Sequence, residues 1–295
     1  MQKAGRLLVA TVAESREPYR SEAELLFRSL RKLGGRMAGV QAVAYFVGSA
    51  DADISESLAS LDVEIKIVAP VDPRCPHANK LRMLDVAGDY DFLLALDTDI
   101  VVAGDFAVEI WGSSIAAKPV DDDPFAIEEW ENLFRSFGIE LPQARYVTSF
   151  ALKETVPYFN SGVLLIPRPF VEPLRNLWSS YIQELLNSPI LFRDGDKSGY
   201  YLDQIGLALA LAAGRFPVRA FPLAMNFPTH CRIHRSHRPG RISPLLLHHH
   251  HRRAQDGTLS SCTHRLANQR IELINRVTAA STEAIAGSAT WFRKT

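Results

Sequence analysis

The chain has 295 residues, 47% hydrophobic and 22% charged, with 33 lysines and arginines against 33 aspartates and glutamates. A balanced charge excludes a bulk electrostatic affinity for nucleic acid or an anionic membrane surface, and no apolar run reaches the roughly 20 residues that span a bilayer. The length permits one large core, and three widely spaced cysteines, Cys75, Cys231 and Cys262, point to a reducing, cytoplasmic setting, with Cys231–Cys262 the one bridge left open.

Strand and helix signals alternate through the first hundred residues. Arg6–Val12 is an apolar run that ends in polar residues without a cleavage signal, so it reads as a first buried strand and not as a leader. Ser21–Leu33 carries Leu25, Leu26, Leu30 and Leu33 at helical spacing and stops at Gly34-Gly35. Val40–Val47 and Val63–Val68 predict two more strands, Asn79–Val86 a short helix and Phe92–Leu96 a fourth strand. Such repeats imply a mostly parallel sheet with helices on both faces and ligands beyond the carboxyl ends of its strands. Lys118–Pro157, rich in proline and acidic residues, reads as a rim inserted over the sheet, with an exposed helix at Glu128–Phe137. Phe159–Ile166 predicts a strand stopped by Pro167, Pro173–Asn187 and Leu202–Ala213 predict helices, and Phe216–Phe221 a strand. Met225–Arg241 reads as a loop, Pro244–His250 as a last strand and Ser260–Ala286 as a terminal helix. The simplest division is a single domain over 1–295: a nucleotide-binding half at 1–117, the insertion at 118–157, a second half at 158–259 and the helix at 260–295.

Charge is uneven along the chain. No Asp or Glu occurs from Gln204 to Gln255, a stretch holding eight arginines, whereas Asp121, Asp122, Asp123, Glu128, Glu129 and Glu131 crowd one short segment. Each run is either a solvated face or, for the basic one, a surface for a phosphate-bearing ligand.

The stretch "LLALDTDIVV" sets Asp97 and Asp99 between two apolar runs. On a strand, residues two apart face the same way, and two buried carboxylates without partners cost several kcal/mol. A divalent cation would remove that cost, Mg²⁺ or Mn²⁺ suiting carboxylate oxygens; a turn cap plus a basic partner would do the same. Farther on, "SPLLLHHHHRR" places four histidines directly after an apolar strand. The run is internal, so an expression tag is excluded. Alternation puts His248 and His250 on one face, either or both able to complete a metal shell with Asp97 and Asp99.

These residues resemble the metal-dependent glycosyltransferases of GT-A fold, in particular the retaining branch that includes glycogenin and lipopolysaccharide galactosyltransferases (family 8). The match rests on "LLVATV", "NKLRML", "LLALDTDIVV", "YFNSGVLLI", "YLDQIGLAL" and "LLLHHHH" in that order, covering about Leu7 to His251. The resemblance implies an α/β, Rossmann-like nucleotide-binding sheet and a glycosyltransferase taking a nucleotide-diphosphate sugar, a UDP-sugar favoured, with Mn²⁺ or Mg²⁺. It implies that Thr11 and Val12 meet the nucleotide base, that Lys80 favours the diphosphate, and that Asn160, Ser161 and Gly162 line the sugar pocket. Asp97, Asp99 and His248 or His250 would hold the metal, Asp97 also touching the ribose, and Asp203 and Gln204 would act at the reacting carbon. The family's histidine-glycine…lysine ending is missing; Arg252, Arg253 or the Arg232–Arg241 loop would replace that lysine. No nucleic-acid partner or transmembrane segment is implied, the acceptor is undefined, and a homo-oligomer is compatible.

Two other readings share these residues. Asp97-Thr98-Asp99-Ile100-Val101 also matches the nucleophile motif of haloacid-dehalogenase-type phosphatases, with Asp97 attacking phosphate. That motif normally opens the first strand of its domain, and here it follows a fourth. A nucleotide-sugar-binding protein without turnover would keep the same ligands.

Overall fold

The structure is a computed structural model that describes residues 5–188, 201–251 and 258–289. In chain order the elements are β1 (Leu7–Glu14), α1 (Tyr19–Leu33), β2 (Gln41–Val47), α2 (Ala52–Ser60), β3 (Glu64–Val68), β4 (Phe92–Leu96), β5 (Ile100–Val102) and β6 (Ile115–Pro119). Then come α3 (Ile127–Ser136), β7 (Tyr146–Val147), β8 (Glu154–Thr155), β9 (Phe159–Pro167), α4 (Arg168–Asn187), α5 (Leu202–Ala213), β10 (Val218–Ala220), β11 (Phe227–Pro228), β12 (Leu246–His248) and α6 (Arg265–Ala289).

The main sheet has seven strands in the order β10-β6-β9-β4-β1-β2-β3. Only β9 runs against its neighbours, pairing antiparallel with both β4 and β6. This reversal matters because it brings the beginning of β9 to the carboxyl end of β4. Leu96 pairs with Val163, and the ladder continues as the Asp97 amide donates to the Gly162 carbonyl at 2.9 Å. β6 also ends there, Pro119 pairing with Phe159.

Alternation along the strands divides the interior between the two faces. Leu8, Ala10, Leu93 and Ala95 join α4 and α5 residues such as Trp178, Ile182 and Ile205 on one face. Leu7, Val9, Leu94 and Leu96 meet Leu26, Phe27 and Leu30 of α1 on the other. A separate three-stranded sheet, β11-β12-β5, carries a third cluster that includes Val101, Leu247 and Ile271 and Ile274 of α6.

Several sequence expectations change. The helix expected at Asn79–Val86 is a 3₁₀ stretch at Pro76–Leu84. α4 begins at Arg168 rather than Pro173, since Pro169 lies in the first turn, where a missing N–H costs nothing. α2 had no counterpart: it shows only Ile54 and Leu58 to the core, but Asp51 caps it by accepting from the Ile54 amide at 2.9 Å. α3 is amphipathic instead of exposed, burying Trp130, Leu133 and Phe134. The last strand stops at His248, because His250 and His251 turn into the left-handed region with φ 51° and 57°. Cys75, Cys231 and Cys262 are not in disulfides, so the open Cys231–Cys262 bridge is not formed. No described helix is long and apolar enough to cross a membrane.

Candidate active site

Asp97 and Asp99 do not share a strand. β4 ends at Leu96, Ile100 opens β5 in the second sheet, and the residues between form a turn closed by the Ile100 amide donating to the Asp97 carbonyl at 3.2 Å. The expectation of two carboxylates side by side on one strand face is therefore corrected: the turn aims them at different partners.

Asp97 faces a buried polar cluster. Its Oδ2 lies 2.8 Å from Lys80 Nζ, and Lys80 Nζ is 3.0 Å from Asp203 Oδ2. Ser161 completes the set, its hydroxyl donating to Asp203 at 2.6 Å and accepting from Lys80 at 2.8 Å. Asp203 is delivered by the first turn of α5, and Trp178 of α4 donates its indole N–H to the Asp203 carbonyl at 2.7 Å, locking the two helices together. Burial alone would raise the Asp203 pKa, but the Lys80 ammonium, His77 and the Ser161 hydrogen bond together outweigh it and hold the carboxyl below its ordinary value. Burial dominates at Asp97 and, with Asp99 and Asp203 nearby, raises its pKa despite Lys80.

Asp99 faces the other way, into the second sheet. Antiparallel pairing sets His248 opposite Ile100, and His248 Nε2 reaches Asp99 Oδ2 at 2.9 Å. Burial disfavours the imidazolium, yet Asp99 raises the His248 pKa, and His248, with His249 and His251, in turn overrides the burial that would raise Asp99 and drives that carboxyl far down. The His248 Nδ1 atom is buried with no hydrogen-bond partner. The His250 ring centre is 5.6 Å from that of His248, so both expected histidines are close to Asp99, though a turn and not strand alternation brings His250 there.

The other expected site residues fall at the same edge. Asn160 Oδ1 accepts from the Gly162 amide and from Asn226 Nδ2, each at 2.9 Å. Gly162 is required by close approach: a Cβ there would lie 2.9 Å from Asp97 Oδ2 and 3.0 Å from Asn160 Oδ1. Thr11 is fully buried and donates its hydroxyl to the Leu96 carbonyl at 2.7 Å, Val12 is partly buried beside it, and Gln204 is half-buried next to Asp203. Arg252 and Arg253 lie outside the described residues.

Sequence reasoning missed several members of this neighbourhood. Glu22 of α1 is fully buried beneath the histidine run, with His251 Nδ1 2.9 Å from both of its carboxylate oxygens and the Thr98 hydroxyl at 3.3 Å. Its signal, an acidic residue on the apolar side of a helix, was present in the spacing. His230, two residues beyond β11, brings its ring centre within 4.8 Å of that of His248, and burial pushes its pKa down to about 4. Asp121 and Asp123 came into view only as members of an acidic run. Asp123 is structural: buried, it accepts from Trp130 Nε1 at 2.8 Å and from the Thr155 hydroxyl at 2.5 Å. A groove of about 580 Å³, lined by Phe137, Ile139, Tyr181, Leu211 and Phe216, shares no residue with this cluster.

A mostly parallel sheet with one reversed strand, an acidic turn after its central strand and a late histidine closing on that turn define a glycosyltransferase of GT-A type. The chain belongs to the family described as the Rhodobacterales glycosyltransferase domain, whose model matches residues 9–215. Two solved structures of the galactosyltransferase LgtC share its fold. One is an active-site mutant, 16% identical, covering 90% of this chain and 94% of that one, with a TM-score of 0.55. The other is a complex with donor and acceptor sugar analogs, 17% identical, covering 90% and 95%, with a TM-score of 0.54. The apo form of mouse xyloside xylosyltransferase 1 is 16% identical over 82% of this chain and 96% of that one, with a TM-score of 0.49. No curated protein sequence matches the chain. Family membership decides against the phosphatase reading of Asp97, a carboxylate already paired with Lys80.

Proposed function

We propose that this glycosyltransferase moves a sugar from a nucleotide-diphosphate donor, a UDP-sugar favoured, to an acceptor hydroxyl with retention of configuration. The observation that carries the reading is the Asp99–His248 contact, which joins the acidic turn to a histidine from the far end of the chain at 2.9 Å.

The donor set fits a hard or borderline divalent ion. Asp99, with Asp97 two residues before it, offers carboxylate oxygens, and His248 adds the imidazole nitrogen Nε2 that faces Asp99 at 2.9 Å. Asp97, Asp99, His248 and His250 would hold Mn²⁺ or Mg²⁺, which when bound supplies Lewis-acid stabilisation of the departing diphosphate. Lys80 adds a fixed positive charge near the same oxygens, the kind of preorganised electrostatics that contributes most to such reactions.

Asn160, Ser161 and Gly162 would border the sugar, and Thr11 and Val12 the base. Gly162 leaves the space that a Cβ would fill. Asp203 is held by Lys80 and Ser161 in one position, ready to accept a hydrogen bond from a donor hydroxyl. Gln204, half-buried beside it, would present its amide oxygen to the electron-poor anomeric carbon. The acceptor oxygen forms its bond to that carbon on the face the diphosphate leaves. The carbon–oxygen bond to the diphosphate breaks with its electron pair, and the acceptor proton passes to the departing phosphate oxygen. No carboxylate base is needed. Asp121 and Asp123, which an inverting route would draw on, are engaged with Lys118 and with Trp130.

A panel of nucleotide sugars tested by thermal shift with and without Mn²⁺ checks the reading. A metal-dependent rise in melting temperature for one donor supports it, and a panel without any metal-dependent shift refutes it. Turnover of the selected donor separates an enzyme from a binding protein.

A further inference from the structure

Around the Asp99–His248 contact lies a second group of metal-ligating side chains, two of which the proposed donor chemistry does not use. Asp121, His230 and His248 each present one ligand atom, and the three atoms lie within 4.8 Å of one another. They come from separate parts of the fold. Asp121 follows β6, His230 follows β11, and His248 ends β12. The main chain fixes two of them relative to each other, since the Thr229 amide donates to the His248 carbonyl at 3.0 Å.

The side chains are oriented as well. Asp121 Oδ1 is committed to the Lys118 ammonium at 2.6 Å and to the Ser149 hydroxyl, which leaves Oδ2 facing His230 Nε2 at 3.9 Å. That separation is too long for a hydrogen bond, and the Nδ1 atoms of His230 and His248 are both buried without a partner. Buried polar atoms are nearly always satisfied, so the unfilled gap between Asp121 Oδ2 and His230 Nε2, in the same cluster as the orphaned Nδ1 of His248, points to a ligand that supplies the missing bonds. The His250 ring closes the group, its centre 4.7 Å from that of His230.

We propose that Asp121, His230 and His248 form a second divalent-cation site, distinct from the one that would dock the donor diphosphate, and selective for a nitrogen-preferring ion such as Zn²⁺ or Co²⁺. Charge decides the selectivity. Lys118 already neutralises Asp121, and the other two ligands are imidazoles, so little anionic oxygen remains for Mg²⁺. Asp99, holding His248 Nε2, then acts as the carboxylate that orients a metal-bound histidine and fixes which nitrogen is free. The site shares His248 with the proposed donor-metal site but requires Asp121 and His230, which that site does not.

The test titrates the metal-free full chain with Co²⁺ alone and follows visible absorption, whose intensity reports low coordination number and imidazole ligation. Three variants separate the two sites: Asp121→Asn, His230→Gln and Asp97→Asn. The proposal expects an intense Co²⁺ band in the unmodified protein and in Asp97→Asn, and at least about tenfold weaker binding in Asp121→Asn and His230→Gln, as loss of a ligand or its support produces. Circular dichroism of the metal-free variants confirms their fold, and either of the two ligand variants alone suffices should the other fail to fold. An intense band that survives in both overturns the proposal and leaves the donor-metal reading standing. Loss of the band in all three reports one shared ion and overturns it too, as does an unmodified protein that gives no such band.

Discussion

His248 Nε2 lies 2.9 Å from Asp99 Oδ2, two atoms separated by 149 residues of chain. The side chains of both are nearly buried, 12% and 9% exposed, and each moves the other's pKa toward its charged form. Asp99→Asn and His248→Ala should each lower metal-dependent donor turnover by about 100-fold or more, the scale seen when a preorganised electrostatic contact is removed. The double variant should be scarcely worse than either single one, because both remove one unit. Steady-state rates at saturating Mn²⁺ check this; additive losses would separate the two residues functionally.

Lys80 is the ammonium that Asp97, Asp203 and the Ser161 hydroxyl share, and its side chain is only 14% exposed. Lys80→Met would strip the ammonium from buried Asp203 and part-buried Asp97, a loss of about 3–5 kcal/mol. Adding Asp203→Asn should recover part of that stability without restoring activity. Urea unfolding of the two variants measures the recovery.

Gly162→Ala should act by crowding. The added methyl would sit 2.9 Å from Asp97 Oδ2 and 3.0 Å from Asn160 Oδ1, and Asn160 is itself anchored by Asn226. Overpacking of this kind costs about 1–3 kcal/mol. The displaced Asp97 should weaken donor binding more than the fold, so calorimetric affinity should fall further than the melting temperature implies.

Glu22 and His251 give a pH dependence with a definite sign. The Glu22 hydrogen bond raises the His251 pKa, offsetting burial, and Asp99 adds to the rise. Stability from this pair is fully present below the unfolded histidine value of about 6.5 and is lost as pH rises through the folded value. The stability difference between the unmodified protein and Glu22→Gln should therefore be largest in mildly acidic buffer and narrow toward alkaline pH. Unfolding measured across that range, with the His251 titration followed by NMR, tests the sign.

What could be read without coordinates was whatever local periodicity encodes. Continuous apolar runs in β1, β4 and β9 and helical spacing of leucines in α1 announced a sheet covered on both faces. α2 was lost because only two of its residues meet the core, and β12 was drawn too long because left-handed backbone at His250 and His251 leaves no mark on hydropathy.

Amino-acid order by itself determined the α/β architecture, the place of the acidic pair at a strand end and the presence of a late histidine run. Tertiary structure alone decided how those groups are partnered: Asp97 with Lys80 and Asp203, Asp99 with His248, Asp121 with Lys118 beside His230. The reason is physical. Burial of a side chain's face follows from spacing within a few residues, whereas the register of β12 on β5 and the reversal of β9 are set by the summed packing of remote segments. A carboxylate's partner depends on that sum.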